Sequence, residues 1–575
     1  MKASLTLLVT VLTVISAVNG VGLSDGDIIL IDNFIESIQH CEHIPGLILS
    51  VVDTGQTLIT KGYGVRSLET REPATEDTIF ALASMTKAFT SSILADILSK
   101  RPELSWDTPV REILGADFSM IDDYRTQTMT LRDVMSFKSG IEDNSFFTVA
   151  LAMNETREQL AMRRLKYFEE QYPFRTIFLY SNTMYILAGY IAETLTGKTW
   201  EELVQETLFA PLGMTSSGFA VDMSDDPRVA DSYALNVTSG KAQKVDKNSF
   251  KQTFMAAPAG AVMSNAIDMT KWLNFQLTFG KNSSGSQIVD MLTLAQTHTG
   301  NFPLAGSSAQ LTPPFPVTNI LFTYAMGWMN GVSSDIYRDY HNGWLSGFNT
   351  AVSLEPTIGL GIFTAINGPH TINAMLRINL IHDYITDLYL DKTPWLTNDT
   401  ACTYPSPWIP TTSNADHPES PLITDEGVDI AIATESTLSL VEYTGEYGNN
   451  AFGNVTIYLK EGDEKLYYSY GLLGQGVLTP TVNPHTFLAP VESEVWYLFQ
   501  YSIYMVFASS KNSGVIDQVS WPVVSSLVPA PLFHRDLKYG EKVSVSSSSC
   551  LRYEVFTLFV VVLLIALVVI LISDF

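Results

Sequence analysis

The pattern of apolar and polar positions predicts a helix at each end of a long segment, with strands beside each helix. Asp27 to Ile38 has apolar residues at helical spacing and predicts an amphipathic helix. Two strand-like runs follow between Pro45 and Gly64, around a hairpin-type Asp53-Thr54-Gly55 turn. Near Asn349 the strand pattern returns as AVSLEP and IGLGIFTAIN, and a helix is predicted from Ile372 to Leu388.

The segment between these two strand regions is mainly helical in pattern, from about Pro109 to Thr318, with loops rich in Asn, Ser and Pro. Strands drawn from both ends of a helical excursion predict an α+β fold. Its antiparallel sheet is flanked by helices, with a mainly helical subdomain and a cleft at the junction. The first and last helices are expected on the same face of the sheet.

A second domain is predicted at the C-terminal end. After a main domain at 21–395, residues 396–428 are rich in Pro, Thr, Ser and Asp and predict a linker. Short aromatic and β-branched runs broken by turns then predict a small all-β barrel at 429–540. The sequence contains no phosphate-cradling glycine loop and no metal-ligand spacing among its nine His and three Cys, so no cofactor and no metal are expected.

Composition narrows the possible partners. The chain has 575 residues, of which 46% are hydrophobic, enough for a large core and more than one domain. Its formal net charge of -26 argues against a nucleic-acid partner, because such a surface needs clustered Lys and Arg. A solubilising role for the acidity is the simpler interpretation.

The N-terminal residues 1–20 predict a secretory signal peptide: Lys2, an apolar run from Leu5 to Val18, and small residues ending at Gly20. An uncleaved signal anchor is the alternative, although the run is short for a membrane span. Behind a signal peptide, Asn-x-Ser/Thr triplets predict N-glycosylation of an ectodomain. The five triplets begin at Asn154, Asn236, Asn282, Asn398 and Asn454.

Residues 541–575 predict attachment to a membrane. Val555 to Ile572 is an apolar run interrupted only by Thr557, long enough to cross a bilayer, with no Lys or Arg after it. The small residues from Ser546 to Ser549 and the short polar spacer that follows also fit a lipid-anchor signal. Both alternatives place the protein on the outer face of a membrane.

Cysteine usage is sparse. Cys41 lies at the first predicted helix and Cys402 beyond the last one, so in an oxidising compartment a disulfide between them would join the ends of the main domain. Two unpaired thiols are the alternative. Cys550 lies in the membrane-anchoring segment.

The stretch from Phe80 to Leu98, FALASMTKAFTSSILADIL, contains the first candidate chemistry. Ser84 and Lys87 lie three positions apart at the start of a helical pattern, so the lysine amine can lie over the serine hydroxyl. The helix's partial positive charge stands behind a serine in its first turn. A partly desolvated lysine can take the serine proton, which makes Ser84 a candidate nucleophile. The alternative is an N-cap serine followed by a solvated lysine.

Two later motifs carry a resemblance to a family. Tyr180 and Asn182 form Tyr-x-Asn before another helical run, and His341, Asn342 and Gly343 precede a strand. Ser-x-x-Lys, Tyr-x-Asn and Lys/His-x-Gly, in this order, resemble the serine β-lactamase and penicillin-binding-protein superfamily, above all its class C branch of carboxypeptidases, D-aminopeptidases and esterases. TLRDVMSFKSGI, AAPAGAVMSNAIDMTKWL and YAMGWM are similar to phrases of that branch, and the C-terminal barrel resembles a lipocalin-like module.

The resemblance implies roles for these residues. Ser84 would be the acylated nucleophile, and Lys87 and Tyr180 would share the role of general base. Asn182 would orient the substrate amide or the lysine amine. The resemblance also places the oxyanion hole at the backbone N–H groups of Ser84 and Trp344, and substrate contacts at Asn342 and Gly343.

His341 departs from the lysine found there in penicillin-binding proteins and many β-lactamases. Because histidine is mostly neutral at pH 7, we expect an enzyme that needs no substrate carboxylate beside the scissile bond. It would cleave an ester or peptide bond of a small-molecule or peptide substrate. The open alternatives are a His341 protonated in mildly acid conditions, a transpeptidase, and a catalytically inactive surface glycoprotein that keeps the scaffold.

Overall fold

A computed structural model describes most of the two domains. The described residues are 22–141, 155–236, 241–249, 254–304, 316–345, 347–408, 432–433, 435–471, 474–490, 504–509, 515–521 and 532–541. The predicted signal peptide, Asn154, most of the predicted linker and the apolar run 555–572 lie outside these residues. Across the described residues, the structure contains no helix with the length and apolar character that a membrane span requires.

Runs of helices and runs of strands follow one another along the main domain, as in an α+β fold. In chain order the helices are α1 Asp25–Cys41, α2 Thr86–Ser99, α3 Val110–Leu114, α4 Asp123–Thr128, α5 Leu131–Met135, α6 Arg157–Gln159, α7 Asn182–Thr196, α8 Trp200–Val204, α9 Ala210–Leu212, α10 Ala220–Met223, α11 Ala257–Gly260, α12 Ala266–Leu277, α13 Met291–Ala295, α14 Ile372–Tyr389 and α15 Asn398–Thr403. The strands of the main domain are β1 Gly46–Asp53, β2 Gln56–Gly64, β3 Phe80–Ala81, β4 Gly218–Phe219, β5 Tyr233–Asn236, β6 Lys241–Lys244, β7 Val262–Ser264, β8 Phe302–Pro303, β9 Asn319–Tyr324, β10 Met329–Ser333, β11 Ile336–Leu345, β12 Phe348–Glu355 and β13 Leu360–Ile366.

The main sheet of the described residues has eight strands in the order β2-β1-β13-β12-β11-β10-β9-β8. Every neighbouring pair is antiparallel, which confirms the predicted fold class. Strand β1 pairs with both β2 and β13, so strands from the two ends of the domain lie side by side near the β2 edge of this sheet.

Helices cover both faces of the sheet. On one face the Ser50 hydroxyl of β1 donates to the Ala266 carbonyl at the start of α12, at 2.7 Å. On the other face His382 of α14 meets the Ser353 hydroxyl of β12 at 2.7 Å. Helix α1 packs beside α14, where Phe34 stacks on Tyr384 with ring centroids 4.1 Å apart. The first and last helices therefore share a face, as expected.

A disulfide between Cys41 and Cys402 joins α1 to α15 across 361 positions of sequence. Of the two alternatives left open by the sequence, the structure forms the bonded pair. The bond closes the main domain beside the α1–α14 packing. Helix α15 stands within the range predicted as linker.

The C-terminal strands close into an eight-stranded barrel among the described residues. These strands are β14 Gly445–Asn449, β15 Gly453–Leu459, β16 Leu466–Tyr470, β17 Gly474–Pro480, β18 Thr486–Leu488, β19 Tyr504–Ala508, β20 Gln518–Ser520 and β21 Leu532–Arg535. Inward residues such as Tyr447, Val455 and Tyr468 are fully buried and form the barrel core. Closure leaves no free sheet edge along these strands.

The barrel contacts the main domain at residues 163–168. The Tyr539 hydroxyl donates to the Arg163 carbonyl at 2.7 Å, and the Arg164 guanidinium donates to the Asn450 carbonyl at 2.7 Å. Phe452 meets Phe168 edge to face, with ring centroids 5.7 Å apart. The contacted segment lies ahead of Tyr180 in the chain, between residue 155 and the Tyr-x-Asn motif.

Three of the predicted glycosylation positions have described side chains. Asn398 and Asn454 are exposed, whereas Asn282 is partly buried and its amide donates to the Pro211 carbonyl at 3.3 Å. Asn236 ends β5, and its side chain is outside the described part of the structure. Glycosylation at the five positions stays a prediction.

Candidate active site

Ser84 lies in a tight turn that is held on two sides. A 3-10 turn, Ala83–Met85, connects β3 to α2, so Ser84 precedes the regular helix instead of lying in its first turn. Ala83 has a φ of 51°, in the left-handed region that non-glycine residues rarely adopt. The Leu82 N–H donates to the Val262 carbonyl at 2.8 Å, and its carbonyl accepts from the Thr350 hydroxyl at 3.0 Å. These contacts fix the strained turn.

Lys87 connects the nucleophile to its surroundings. Its side chain is buried with 0% exposure, and its Nζ lies 3.1 Å from Ser84 Oγ. The same nitrogen donates to Asn182 Oδ1 at 2.7 Å and to the Ala259 carbonyl at 2.9 Å. The expected contact between the lysine amine and the serine hydroxyl is therefore present.

The Tyr-x-Asn motif reaches the same amine. Ser181 is the N-cap of α7, accepting from the Met184 N–H at 3.2 Å, which leaves the Asn182 side chain available to Lys87. The Lys87 amine lies 4.8 Å from the centroid of the Tyr180 ring. The structure thus brings Ser84, Lys87, Tyr180 and Asn182 together.

Gly343 allows β11 to lie directly against the nucleophile turn. A Cβ at this position would stand 2.4 Å from the Leu82 carbonyl oxygen and 3.0 Å from the Ala83 Cβ. Real Cβ atoms essentially never approach closer than 3.0 Å, so the approach requires glycine. Gly343 thereby contributes to the geometry of the site through its missing side chain.

His341 is buried in the site as a neutral ring. Burial and the neighbouring Lys87 charge lower its pKa to about 3. The Nδ1 atom lies 2.6 Å from the Asn342 carbonyl oxygen, and Nε2 lies 3.3 Å from the Tyr324 hydroxyl. The low pKa argues against the alternative of a His341 that is protonated in mildly acid conditions.

Asn342 and Trp344 direct their side chains to the opposite face of the sheet. The Asn342 amide lies 3.3 Å from Met375 Sδ in α14, and the Trp344 ring meets His370 edge to face at 4.5 Å. Residues alternate along a strand, so Asn342 can reach a substrate in this site only through its backbone. The predicted substrate contact of Asn342 is corrected to that extent, and the Trp344 N–H stays a predicted oxyanion donor.

The pairing of β11 with its two neighbours leaves one backbone edge of its last residues unpaired. Its register with β10 ends at the Met329–Tyr340 pair, whereas its register with β12 continues to the Leu345–Phe348 pair. Residues 341–345 are therefore paired on one edge only, within the strands that the structure describes. An unpaired strand edge offers backbone donors and acceptors to an extended ligand.

An aromatic cluster that sequence reasoning missed surrounds this strand. Phe137 packs on Tyr180 at 4.6 Å and on Tyr324 at 4.7 Å between ring centroids, and Phe178 packs on Tyr324 at 5.3 Å. Phe137 and Tyr324 lie inside TLRDVMSFKSGI and YAMGWM, two phrases that carry the family resemblance. The signal was therefore in the sequence, but nothing in it indicates that the two phrases meet.

Comparison with known proteins identifies the family. The beta-lactamase family model matches residues 31–383, more than half of the chain. The chain belongs to the beta-lactamase family. It is thus a member of the serine hydrolase superfamily, and the beta-lactamase match includes Ser84, Lys87, Tyr180, Asn182 and His341.

Two relatives are similar to this chain over parts of different length. An unguisins hydrolase of Aspergillus campestris is 29% identical over 434 residues, covering 74% of this chain and 76% of its own. Gigasin-6 of Magallana gigas is 28% identical over 235 residues, covering 40% of this chain and 76% of its own.

A solved structure shares the fold. The octameric penicillin-binding protein homologue from Pyrococcus abyssi superposes with a TM-score of 0.52 at 19% identity. The superposition covers 85% of this chain and 97% of that one. At this identity the likeness concerns the fold, which agrees with the beta-lactamase family membership.

Proposed function

We propose that the protein is an extracellular, membrane-tethered serine hydrolase that cleaves an ester or amide bond through an acyl-enzyme on Ser84. The observation that carries the proposal is the contact of Lys87 Nζ with Ser84 Oγ at 3.1 Å inside a buried site. A hydroxyl becomes a useful nucleophile when a neighbouring base takes its proton during attack. The hydrolase activity named for the Aspergillus campestris relative supports this reaction class.

Three contacts of Lys87 suit a base once its amine has lost a proton. A neutral amine has two hydrogens and one lone pair. Asn182 Oδ1 and the Ala259 carbonyl can only accept, so they take the two hydrogens. In this neutral form the lone pair is directed at the Ser84 hydroxyl, which donates to it, whereas the protonated amine donates to Ser84 Oγ.

The reaction follows in two steps. Ser84 Oγ attacks the substrate carbonyl carbon while its proton passes to Lys87, with the Tyr180 phenol beside the amine. The backbone N–H groups of Ser84 and Trp344 receive the oxyanion, and the leaving group departs with the proton. Water then attacks the acyl-enzyme, a proton returns to Ser84, and the free acid leaves.

The state of His341 supports a substrate without a carboxylate beside the scissile bond. A ring with a pKa of about 3 is neutral at every physiological pH and offers no charge to an anion. An uncharged acyl group also suits Phe178 and Tyr180, the two partly exposed rings of the aromatic cluster, because aromatic side chains favour apolar contact.

The location rests on the two ends of the sequence. The predicted signal peptide, the five glycosylation triplets and the apolar run from Val555 to Ile572 together support a tethered ectodomain. The Cys41–Cys402 disulfide is consistent with an oxidising compartment.

The test is intact-mass labelling of the full chain with a fluorophosphonate and, separately, with a penicillin, at pH 5 and pH 7.5. Ser84→Ala is the control. We expect a fluorophosphonate adduct on Ser84 and none from penicillin. A folded protein that neither reagent labels would instead support the inactive surface glycoprotein.

A second variant tests the substrate class. His341→Lys places a cation where penicillin-binding proteins carry one, and we expect it to raise reactivity toward esters of dicarboxylic acids relative to neutral esters. An unchanged preference in a folded, labelled variant would contradict the role given to His341.

A further inference from the structure

The His341 ring has a neighbour whose role neither its motif nor the family match assigns. Tyr324, the last residue of β9, is fully buried, and its hydroxyl lies 3.3 Å from His341 Nε2. Its ring is held by Phe137 at 4.7 Å and by Phe178 at 5.3 Å between centroids. The hydroxyl therefore has a fixed position relative to the imidazole.

The hydrogen-bond partners determine the histidine tautomer. The atom opposite Nδ1, at 2.6 Å, is the Asn342 carbonyl oxygen, which can only accept. The neutral ring must then carry its proton on Nδ1 and its lone pair on Nε2. Burial keeps the Tyr324 phenol protonated by raising its pKa, so its O–H donates to that lone pair.

We infer that Tyr324 is a positioning residue that donates its O–H to the Nε2 lone pair of His341 and so fixes the orientation of the ring. The Asn342 carbonyl sets the Nδ1–H tautomer itself. Both ring nitrogens are then engaged within the protein. His341 presents a neutral edge to the Ser84 site, with no N–H directed at a substrate. The inference rests on the proposed function only where it concerns the rate of Ser84 acylation.

The groups around this ring fit the arrangement. Lys87 from α2 lowers the pKa of His341, which keeps a second positive charge out of the site. The Tyr185 hydroxyl of α7 is buried beside the Tyr324 hydroxyl, and its own proton goes to the Met135 carbonyl at 3.1 Å. The Tyr324 proton therefore has two acceptors nearby, the Tyr185 oxygen and His341 Nε2 at 3.3 Å. Tyr180 contacts the imidazole with ring centroids 6.4 Å apart. Turning the imidazole would therefore disturb the Tyr180 ring.

The first measurement concerns the tautomer and requires no activity. In the full chain with ¹⁵N-labelled histidine, the His341 resonance is assigned by its loss in His341→Gln. We expect the Nδ1–H tautomer in the wild type and in Tyr324→Phe, with a changed Nε2 resonance in the variant because its lone pair has lost the phenol hydrogen bond. An Nε2 resonance that is the same in both proteins would overturn the inference. A wild-type ring protonated on Nε2 would overturn the inference, whatever the result of fluorophosphonate labelling.

The second measurement is a double-mutant cycle on the rate of fluorophosphonate labelling. Loss of one neutral hydrogen bond predicts a fall of up to roughly tenfold in Tyr324→Phe. In a His341→Gln background the same substitution is expected to have little further effect, because the partner is gone. An equal fall in both backgrounds would show a general packing role and overturn the inference.

A matched control separates this effect from the loss of any buried phenol. Tyr389 is fully buried in α14, and its hydroxyl donates to the Ile358 carbonyl at 3.3 Å, on the far face of the sheet. We expect Tyr389→Phe to change neither the His341 Nε2 resonance nor the labelling rate. A shift of the His341 Nε2 resonance in this control would also count against a specific role for Tyr324.

Discussion

The close approach of β11 to the nucleophile turn makes Gly343→Ala the most informative single substitution. The new Cβ would stand 2.4 Å from the Leu82 carbonyl oxygen and 2.3 Å from the Thr350 hydroxyl oxygen. The hydroxyl can rotate away, but the carbonyl is backbone. Ordinary contact begins at 3.4 Å, so the strand or the turn must move by about 1 Å.

This displacement predicts two separate effects. Overpacking of a rigid core destabilises by about 1 to 3 kcal/mol, which leaves a well-folded protein at room temperature. A misplacement of about 1 Å between reacting groups lowers a rate by roughly 100-fold. We therefore expect Ser84 acylation to fall far more than the loss of folded protein can explain.

The assay is the rate of fluorophosphonate labelling per folded molecule, with thermal unfolding measured on the same samples. Gly331→Ala is the matched control, because its Cβ would meet the Ile320 carbonyl oxygen at 2.3 Å, in the β9–β10 pairing. It should destabilise to a similar degree and keep the wild-type labelling rate. A Gly343→Ala protein labelled within twofold of the wild type would refute the reasoning.

Three further substitutions have defined outcomes. Lys87→Met should lower the labelling rate by roughly 10² to 10⁴-fold, because it removes the base beside Ser84. A variant that keeps the wild-type labelling rate would exclude Lys87 from that role. Replacing both Cys41 and Cys402 by serine should cost about 2 to 5 kcal/mol in urea unfolding, and an unchanged midpoint would show that the bond adds no stability. Asp387→Asn should raise the thermal midpoint at pH 7.5 and have a clearly smaller effect at pH 4.5. Burial raises the pKa of the Asp387 carboxyl to about 6, so the stability it contributes falls as pH rises from about 4 to 6; equal effects at both pH values would contradict this assignment.

The elements of the main sheet could be predicted because their patterns are local. The hairpin around Asp53-Thr54-Gly55 became β1 and β2, and the runs AVSLEP and IGLGIFTAIN became β12 and β13. Short apolar runs bounded by turn residues are readable within a few positions. The antiparallel α+β fold and the C-terminal barrel are confirmed for the same reason.

The details of the site depended on contacts between distant segments. A helical pattern placed Ser84 in the first turn of α2. In the structure Ser84 lies in a 3-10 turn that begins at Ala83, a non-glycine residue with a positive φ, and the regular helix begins only at Thr86. Such a conformation is imposed by its neighbours in space. Likewise, the contact of Tyr324 with His341 joins two strands, and no spacing within either motif indicates it.

The position of β1 between β2 and β13 has a consequence for synthesis of the chain. At about 5 to 20 residues per second, the ribosome needs roughly 20 to 70 s to make the 361 positions between the two cysteines. Throughout that time the edge of β1 that later pairs with β13 is open, and Cys41 has no bonding partner. An unpaired strand edge can pair with another chain, so the nascent domain is exposed to aggregation until β13 emerges.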